Sequence, residues 1–251
     1  MKCRKHYFQT TICTAAAVLM FAGANVAQAD TTTSDNLTTD SPAVSAILND
    51  MLQYMPNVSY DELEQSVAFE SQASQMSPLD VAEAARQEMF ANQMPVANSG
   101  AEQTANITPI TPKYVGDLLW TPAHTLFVQH GHSAMYTAKD QIIESTPEAG
   151  VHLLTRKKMK VSKTAYNLKV NTTQTKRNAA VARSKKFVRR AYNYNFALNK
   201  DSNGSKMNCS QLVWAAYISS AAKIDLDGTG GPGVYPLDIT ASSYTSKYHT
   251  Y

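Results

Sequence analysis

Beyond its first 29 residues this 251-residue sequence has a single cysteine, Cys209, and no apolar run of membrane-spanning length. One thiol cannot form an internal disulfide, so a cystine-stapled fold is excluded for that part of the chain. A spanning helix needs about 20 consecutive apolar residues, so no transmembrane segment is expected. Acidic residues are missing altogether from residues 156–200, and no internal repeat is present, which sets solenoid and array architectures aside.

The other two cysteines, Cys3 and Cys13, lie in an N-terminal segment of distinct character. Lys2, Arg4 and Lys5 precede an apolar run over 12–24, and Ala27-Gln28-Ala29 precedes Asp30. A basic start, a short apolar stretch and an A-x-A site make a secretory signal peptide over residues 1–29, cleaved after Ala29. Nothing around Cys13 has a lipoprotein character. The expected location is secreted, at the cell wall.

What remains is divided by charge. Residues 30–102 hold twelve Asp/Glu against Arg86 alone, a formal −11, whereas residues 103–251 hold nineteen Lys/Arg against eight Asp/Glu, a formal +11. The near-neutral whole conceals two regions of opposite sign. Residues 30–40 are Thr-rich, polar and without apolar periodicity, as in disordered segments. Three short helices are expected over 41–92, opened by Ser41-Pro42, by Ser59 with Glu62, and by Ser77-Pro78 with Asp80. Residues 93–112, rich in Pro, Ala and Thr, read as a linker.

Residues 113–251 have a different texture. Tyr114 to Trp120 reads as a turn leading into a buried strand, and residues 126–136, 141–145 and 150–154 read as further strands. Residues 178–192 read as a basic amphipathic helix. The glycine-rich stretch 225–233 reads as a loop. Strands followed by helices on one compact stretch indicate an α+β domain, an antiparallel sheet packed on helices and preceded by a small acidic helical region.

Cys209 opens an apolar-periodic run that reads as a helix, with Asn208 as its N-cap and a breaker-rich loop before it. Backbone N–H groups at a helix start lack intrahelical partners and carry partial positive charge. A thiol there is shifted toward thiolate, and the same donors suit the oxyanion of a tetrahedral intermediate. Cysteine catalysis also needs a base and a group to orient it. Of His124, His130, His132, His152 and His249, the best placed by pattern is His132, next to Gly131 in the middle of the 126–136 strand and followed by an alternating Ser-Ala-Met-Tyr. His130 lies two residues away, on the same face by the period of two. Glu144, on the next strand, is within reach of an adjacent antiparallel pairing.

Metal chemistry is poorly supported. His130-x-His132 has no third and fourth ligand at usable spacing. Asp225-x-Asp227-Gly228 lacks the calcium-loop glutamate, since Pro236 occupies that position. No cofactor is expected.

The order Gly-Asp-Leu-Leu at 116–119, Gly-His-Ser-Ala-Met at 131–135, Ile-Ile-Glu-Ser at 142–145 and Asn-Cys-Ser-Gln-Leu-Val-Trp at 208–214 resembles a known family. It is similar to the YiiX/YebB-like, circularly permuted branch of the NlpC-type papain-like cysteine hydrolases. In non-permuted members the cysteine helix precedes the histidine strand, whereas here His132 precedes Cys209. The resemblance implies Cys209 as nucleophile, His132 as base and Glu144 as the group orienting that base. It also places Asp117 in the motif leading into the first strand, and Tyr235 and Asp238 in a loop closing the substrate cleft beside Asn208.

The expected function is hydrolysis of amide bonds, with peptidoglycan stem peptides as the substrate class. An alternative on the same fold is a lipid or N-acyl hydrolase or acyltransferase, as in the relative lecithin:retinol acyltransferase. A second is a non-catalytic wall-binding module. The basic stretch suits anionic cell-envelope polymers rather than nucleic acid in an exported protein. The acidic region 30–102, with its helices over 41–92, is expected to dock on the basic domain and cover the cleft as a prosegment or regulatory arm, the alternative being a plain solubilising or wall-anchoring extension. Removing residues 30–102 should raise activity, most clearly at low salt, where exposed charge pairing is not screened.

Overall fold

The computed structural model describes residues 38–93, 106–125 and 128–251. The expected signal peptide over 1–29, most of the 30–40 stretch and most of the 93–112 stretch expected as a linker lie outside the described residues. The first helices are α1 (Pro42–Leu52), α2 (Tyr60–Ser74) and α3 (Pro78–Ala91), each opened by a serine cap. Ser41, Ser59 and Ser77 accept the backbone N–H of Val44, Glu62 and Asp80 respectively, satisfying donors a helix start leaves unpaired. Leu48, Met51, Leu63, Val67, Val81 and Met89 form one apolar cluster with Ala197, Leu198 and Tyr235 of the downstream domain. The helices therefore bury their apolar stripes partly on one another and partly on the basic domain.

The strands of that domain are β1 (Leu118–Thr121), β2 (His124–Thr125), β3 (Val128–Gln129), β4 (His132–Ala138), β5 (Gln141–Thr146), β6 (Gly150–Thr155), β7 (Tyr166–Val170) and β8 (Thr245–Thr250). Six of them form an antiparallel sheet in the order β6-β5-β4-β1-β7-β8, and β2 and β3 pair separately. The helices are α4 (Gln174–Lys185), α5 (Cys209–Ile218) and α6 (Pro236–Ala241). Alternate side chains leave the sheet on opposite faces. Leu118, Met135, Ile143, Val151 and Leu168 pack with Leu212, Val213 and Ala216 of α5. Their neighbours Leu119, Ala134, Tyr136 and Ile142 pack with Met159, Val161 and Ala165 in a second core. The sheet is thus covered on both faces, and the domain is α+β.

Several boundaries differ from the sequence expectation. The strand expected over 126–136 begins at His132, because the chain first makes the β2–β3 pair and then turns at Gly131, whose φ is +76°. The basic helix expected over 178–192 instead runs from Gln174 to Lys185, opened by a Thr173 cap. Its expected last turns are diverted: Arg189 adopts φ +74° and the Arg189 N–H and Arg190 C=O bond to the backbone of Val151. Gly150 permits that approach, since a Cβ there would lie 2.2 Å from Arg190 O. Strands β7 and β8 are not evident in the sequence. The 236–239 stretch, read as a loop, begins α6.

The linker's described end is also structured: Ile107 pairs with Val161, and Ile110 N–H donates to Tyr251 Oη (2.9 Å). Among the described residues no helix is long and apolar enough to cross a membrane.

One polar junction fastens α3 to the 225–233 loop. The Gly233 N–H donates to Glu88 Oε2 (2.9 Å) and the Thr229 hydroxyl meets Glu88 Oε1 (3.0 Å). Burial pushes the Glu88 carboxyl up, nearby Asp238 and Asp227 add to this, and the two hydrogen bonds offset only part of it, leaving it at about 7. A carboxyl raised on folding favours the protonated form. Its contribution to stability is full below the unfolded value near 4.5 and is lost as pH rises through about 7. Glu88→Gln should therefore be more stable than wild type at pH 8, by about 1–3 kcal/mol, with the gap closing by pH 4.5. Thermal melts of both proteins across that range check it.

Candidate active site

The cysteine is positioned by the start of α5. Asn208 Oδ1 accepts the Gln211 N–H (2.8 Å) while Gln211 Oε1 accepts the Asn208 N–H (3.2 Å), a reciprocal capping box. Asn193 Nδ2 donates to the same Gln211 oxygen (2.9 Å). Ser210 Oγ donates to Val234 O (2.6 Å), and Ser145 Oγ, on β5, donates to Met207 O (2.6 Å). That last bond ties the helix start to the strand that carries Glu144.

Sheet register supplies the rest. Met135 pairs with Ile143, which brings Ala134 opposite Glu144 and leaves His132 on the same face as its diagonal neighbour. His132 Nε2 lies 2.7 Å from Glu144 Oε2, leaving the other ring nitrogen for Cys209. The thiol is 5% exposed and the His132 side chain 16% exposed. Gly131 is required at the bend before His132, because a Cβ there would lie 2.6 Å from Trp120 Nε1.

The three groups titrate together. Burial pushes the Cys209 thiol up, but the charge and hydrogen bond of His132 outweigh it, with further donation from the Ser133 and Ser210 N–H groups. The net shift is downward. Burial pushes the His132 imidazolium down, and the Cys209 and Glu144 charges and bonds reverse this, raising it to about 10. Glu144 lies below the usual carboxylate range: burial raises it, and His132 and then His152 more than compensate. The arrangement favours a thiolate–imidazolium pair over two neutral groups.

His130 also borders the site, but its Nδ1 lies 2.8 Å from Gly131 O, while His132 takes the bonds to Glu144 and Cys209. Of the other sequence candidates, Asn208 and Tyr235 line the cleft around Cys209. Asp117 and Asp238 are not among its lining residues. Asp117 is fully buried, accepts the Tyr114 N–H (2.8 Å) and approaches Arg177 Nε (4.0 Å). Asp238 accepts the Tyr235 N–H (2.7 Å) at the start of α6. Both serve backbone geometry, which short polar residues beside a turn or helix start commonly do.

The cleft is mainly apolar, with several aromatic side chains in its lining. Tyr192, Tyr194 and Phe196 line it from the basic domain, and Tyr54 and Met89 from the acidic helices. No sequence pattern marked 192–196 as functional, although three aromatics at alternating positions stand there. Among the described residues, Glu88, Asp227 and Asp238 bring oxygens within 4.8 Å of one another, as cation ligands do. Those oxygens are engaged by Lys200 Nζ, the Thr229 hydroxyl and the Gly233 and Tyr235 N–H groups, which makes the cluster a hydrogen-bonded junction.

A cysteine at the start of a buried helix, facing a histidine on an antiparallel sheet, defines the papain-like cysteine hydrolases, here with the histidine strand first. The family described as permuted papain-like amidase enzyme, YaeF/YiiX, C92 family, matches residues 97–229, and the chain belongs to that family. The uncharacterized protein YycO of Bacillus subtilis (strain 168) is 37% identical over 137 residues, 54% of this chain and 55% of YycO. The chain thus spans about half the length of that curated relative. The crystal structure of metalloprotein yiiX from Escherichia coli O157:H7 aligns at a TM-score of 0.42 and 11% identity, over 58% of this chain and 99% of that one.

The titration pattern makes a direct prediction. Cys209 should react with iodoacetamide at a rate that is nearly flat between about pH 6 and 8, where a free thiol of pKa about 8.5 would speed up roughly tenfold per unit. In His132→Ala the climb should return. Alkylation followed by mass spectrometry reads both.

Proposed function

We propose that this chain is a secreted cysteine hydrolase that cleaves amide bonds, with peptidoglycan stem peptides as its substrate class. The observation that supports it is the Cys209–His132–Glu144 row, with its 2.7 Å contact between base and carboxylate. The Cys209 thiolate attacks the amide carbon, and backbone N–H groups at the start of α5 receive the oxyanion. The His132 imidazolium gives its proton to the leaving amine as the C–N bond breaks, leaving a thioester. His132, now neutral, takes a proton from water, whose hydroxide adds to the thioester and releases the acid and the thiolate. Glu144 holds the imidazole in register and balances its charge throughout.

Export and family membership favour the cell-wall substrate. The aromatic lining of the cleft favours a second reading, an N-acyl or lipid amide whose apolar chain lies against Tyr192, Tyr194 and Phe196. In both readings the acidic helices dock on the basic domain and close one side of the cleft through Tyr54 and Met89. Their contact is an apolar cluster with the Glu88 junction, so salt should loosen it little, unlike a docking held by exposed charge pairs. Seven exposed lysines of the 156–200 stretch, among them Lys157, Lys163 and Lys186, remain open to an anionic polymer.

Muropeptides and N-acyl amides offered in parallel, with products read by mass spectrometry, distinguish the two substrates. Cys209→Ala should abolish release of the amine, and Glu144→Gln should lower kcat by about a hundredfold. Turnover by Cys209→Ala at the wild-type rate would sink the role of Cys209 as nucleophile, whereas no turnover by wild type, with wall binding unchanged in Cys209→Ala, would leave the wall-binding module.

A further inference from the structure

Glu144 has a second histidine. His152 pairs directly opposite it across β5 and β6, and His152 Nε2 lies 3.2 Å from Glu144 Oε1. The other ring nitrogen, Nδ1, lies 2.9 Å from Gly150 O. Both partners are acceptors: one is a carboxylate oxygen and the other a backbone carbonyl. A neutral imidazole has one N–H and can serve only one of them. Only the imidazolium donates to both. His152 is 31% exposed, so it exchanges protons with solvent, whereas Glu144 beneath it is 9% exposed.

We propose that His152 is a positioning residue for the Cys209–His132 pair: as an imidazolium pinned by Gly150 O, it holds Glu144 Oε1 so that Oε2 stays on His132. This rests on the cysteine hydrolase reading. A carboxylate fixed at one oxygen alone can swing about its last torsion, a soft two-fold rotor. Fixing both oxygens removes that freedom, and the added positive charge keeps a buried carboxylate ionised. The carboxylate that faces His152, Glu144, is shared with His132; Glu148 lies in the β5–β6 turn, and Arg189 and Arg190 lie on the segment whose backbone is bonded to Val151. Arg190 is committed to Gly204 O and Asn203, so its guanidinium has partners of its own. The main chain on both sides is also set: Gly150, which accepts from Nδ1, is held at φ +60° against Arg190 O.

Iodoacetamide reactivity of Cys209 against pH tests this without a known substrate. His152→Ala should slow alkylation at pH 6 by about 5- to 10-fold relative to wild type, a loosened outer partner commonly costing tenfold or more. His152→Gln, which offers an amide NH2 donor and no charge, should recover most of that rate. Long-range ¹H–¹⁵N spectra of wild type should show both His152 nitrogens protonated at pH 6. This spectrum decides the matter even if His152→Ala fails to fold. A neutral His152 tautomer at that pH, or wild-type profiles in both variants, overturns the proposal. Wild-type reactivity in His132→Ala overturns instead the hydrolase reading beneath it. Collapse in His132→Ala with no change in His152→Ala removes His152 alone.

Discussion

Helix α5 is buried along nine consecutive residues, Cys209 to Tyr217, and the rest of the domain is arranged to cover it. A helix with no exposed face needs a partner on every side. The sheet takes one side through Met135 and Ile143, and α4 takes another through Ala180 and Val181. Val234 and Ile239 of the closing segment cover a third, and Tyr217 reaches Gly116 O at 2.7 Å from the far end. A helix gripped this way cannot shift along its axis without breaking several contacts at once. The thiol at its start is consequently placed to within the tolerance of packed side chains, and catalysis by proton transfer needs that precision.

Burial also sets the electrostatics. Ionic groups with little access to water must be paired or neutral. Cys209, His132 and Glu144 form a row in which each member's cost of burial is offset by its neighbour, and His152 Nε2 lies 3.2 Å from Glu144 Oε1 at its end. Ser145 Oγ, bonded to Met207 O, ties this row to the helix, since it is the residue next to Glu144 on β5. One strand thereby locates both Cys209 and Glu144, the proposed nucleophile and orienting carboxylate.

The acidic helices are joined to the domain by shape more than by charge. Their net negative character faces largely outward, as with Glu83 and Asp61, while Met and Leu side chains meet Ala197, Leu198 and Tyr235. Exposed opposite charges contribute little per pair, whereas each well-buried apolar side chain stabilises by about 1.5–3 kcal/mol. The charge split is therefore a sign of two regions but not the force between them. Half-buried Glu88 meets the two aspartates of a junction where a neutral side chain would be easier to hold.

Local signals carried the sequence reading where they are strong. Ser-capped helix starts, the Asn208 cap before an apolar run and the order of the histidine strand and cysteine helix were legible, because capping and periodicity act within a few residues. The pairing of His132 with Glu144 was foreseeable only as proximity, since it depends on a diagonal register. Strand β8 is not legible in the sequence because an edge strand, only half covered, shows weak alternation. Residues 186–192 left the helix their composition favours because backbone pairing with Val151 competed successfully for them. The places of Asp117, Asp238 and His152, and the aromatic cleft shared by two regions of opposite charge, were decided by tertiary structure alone. Sequence determines what a segment prefers; which distant groups meet depends on how register and burial are resolved for the whole chain at once.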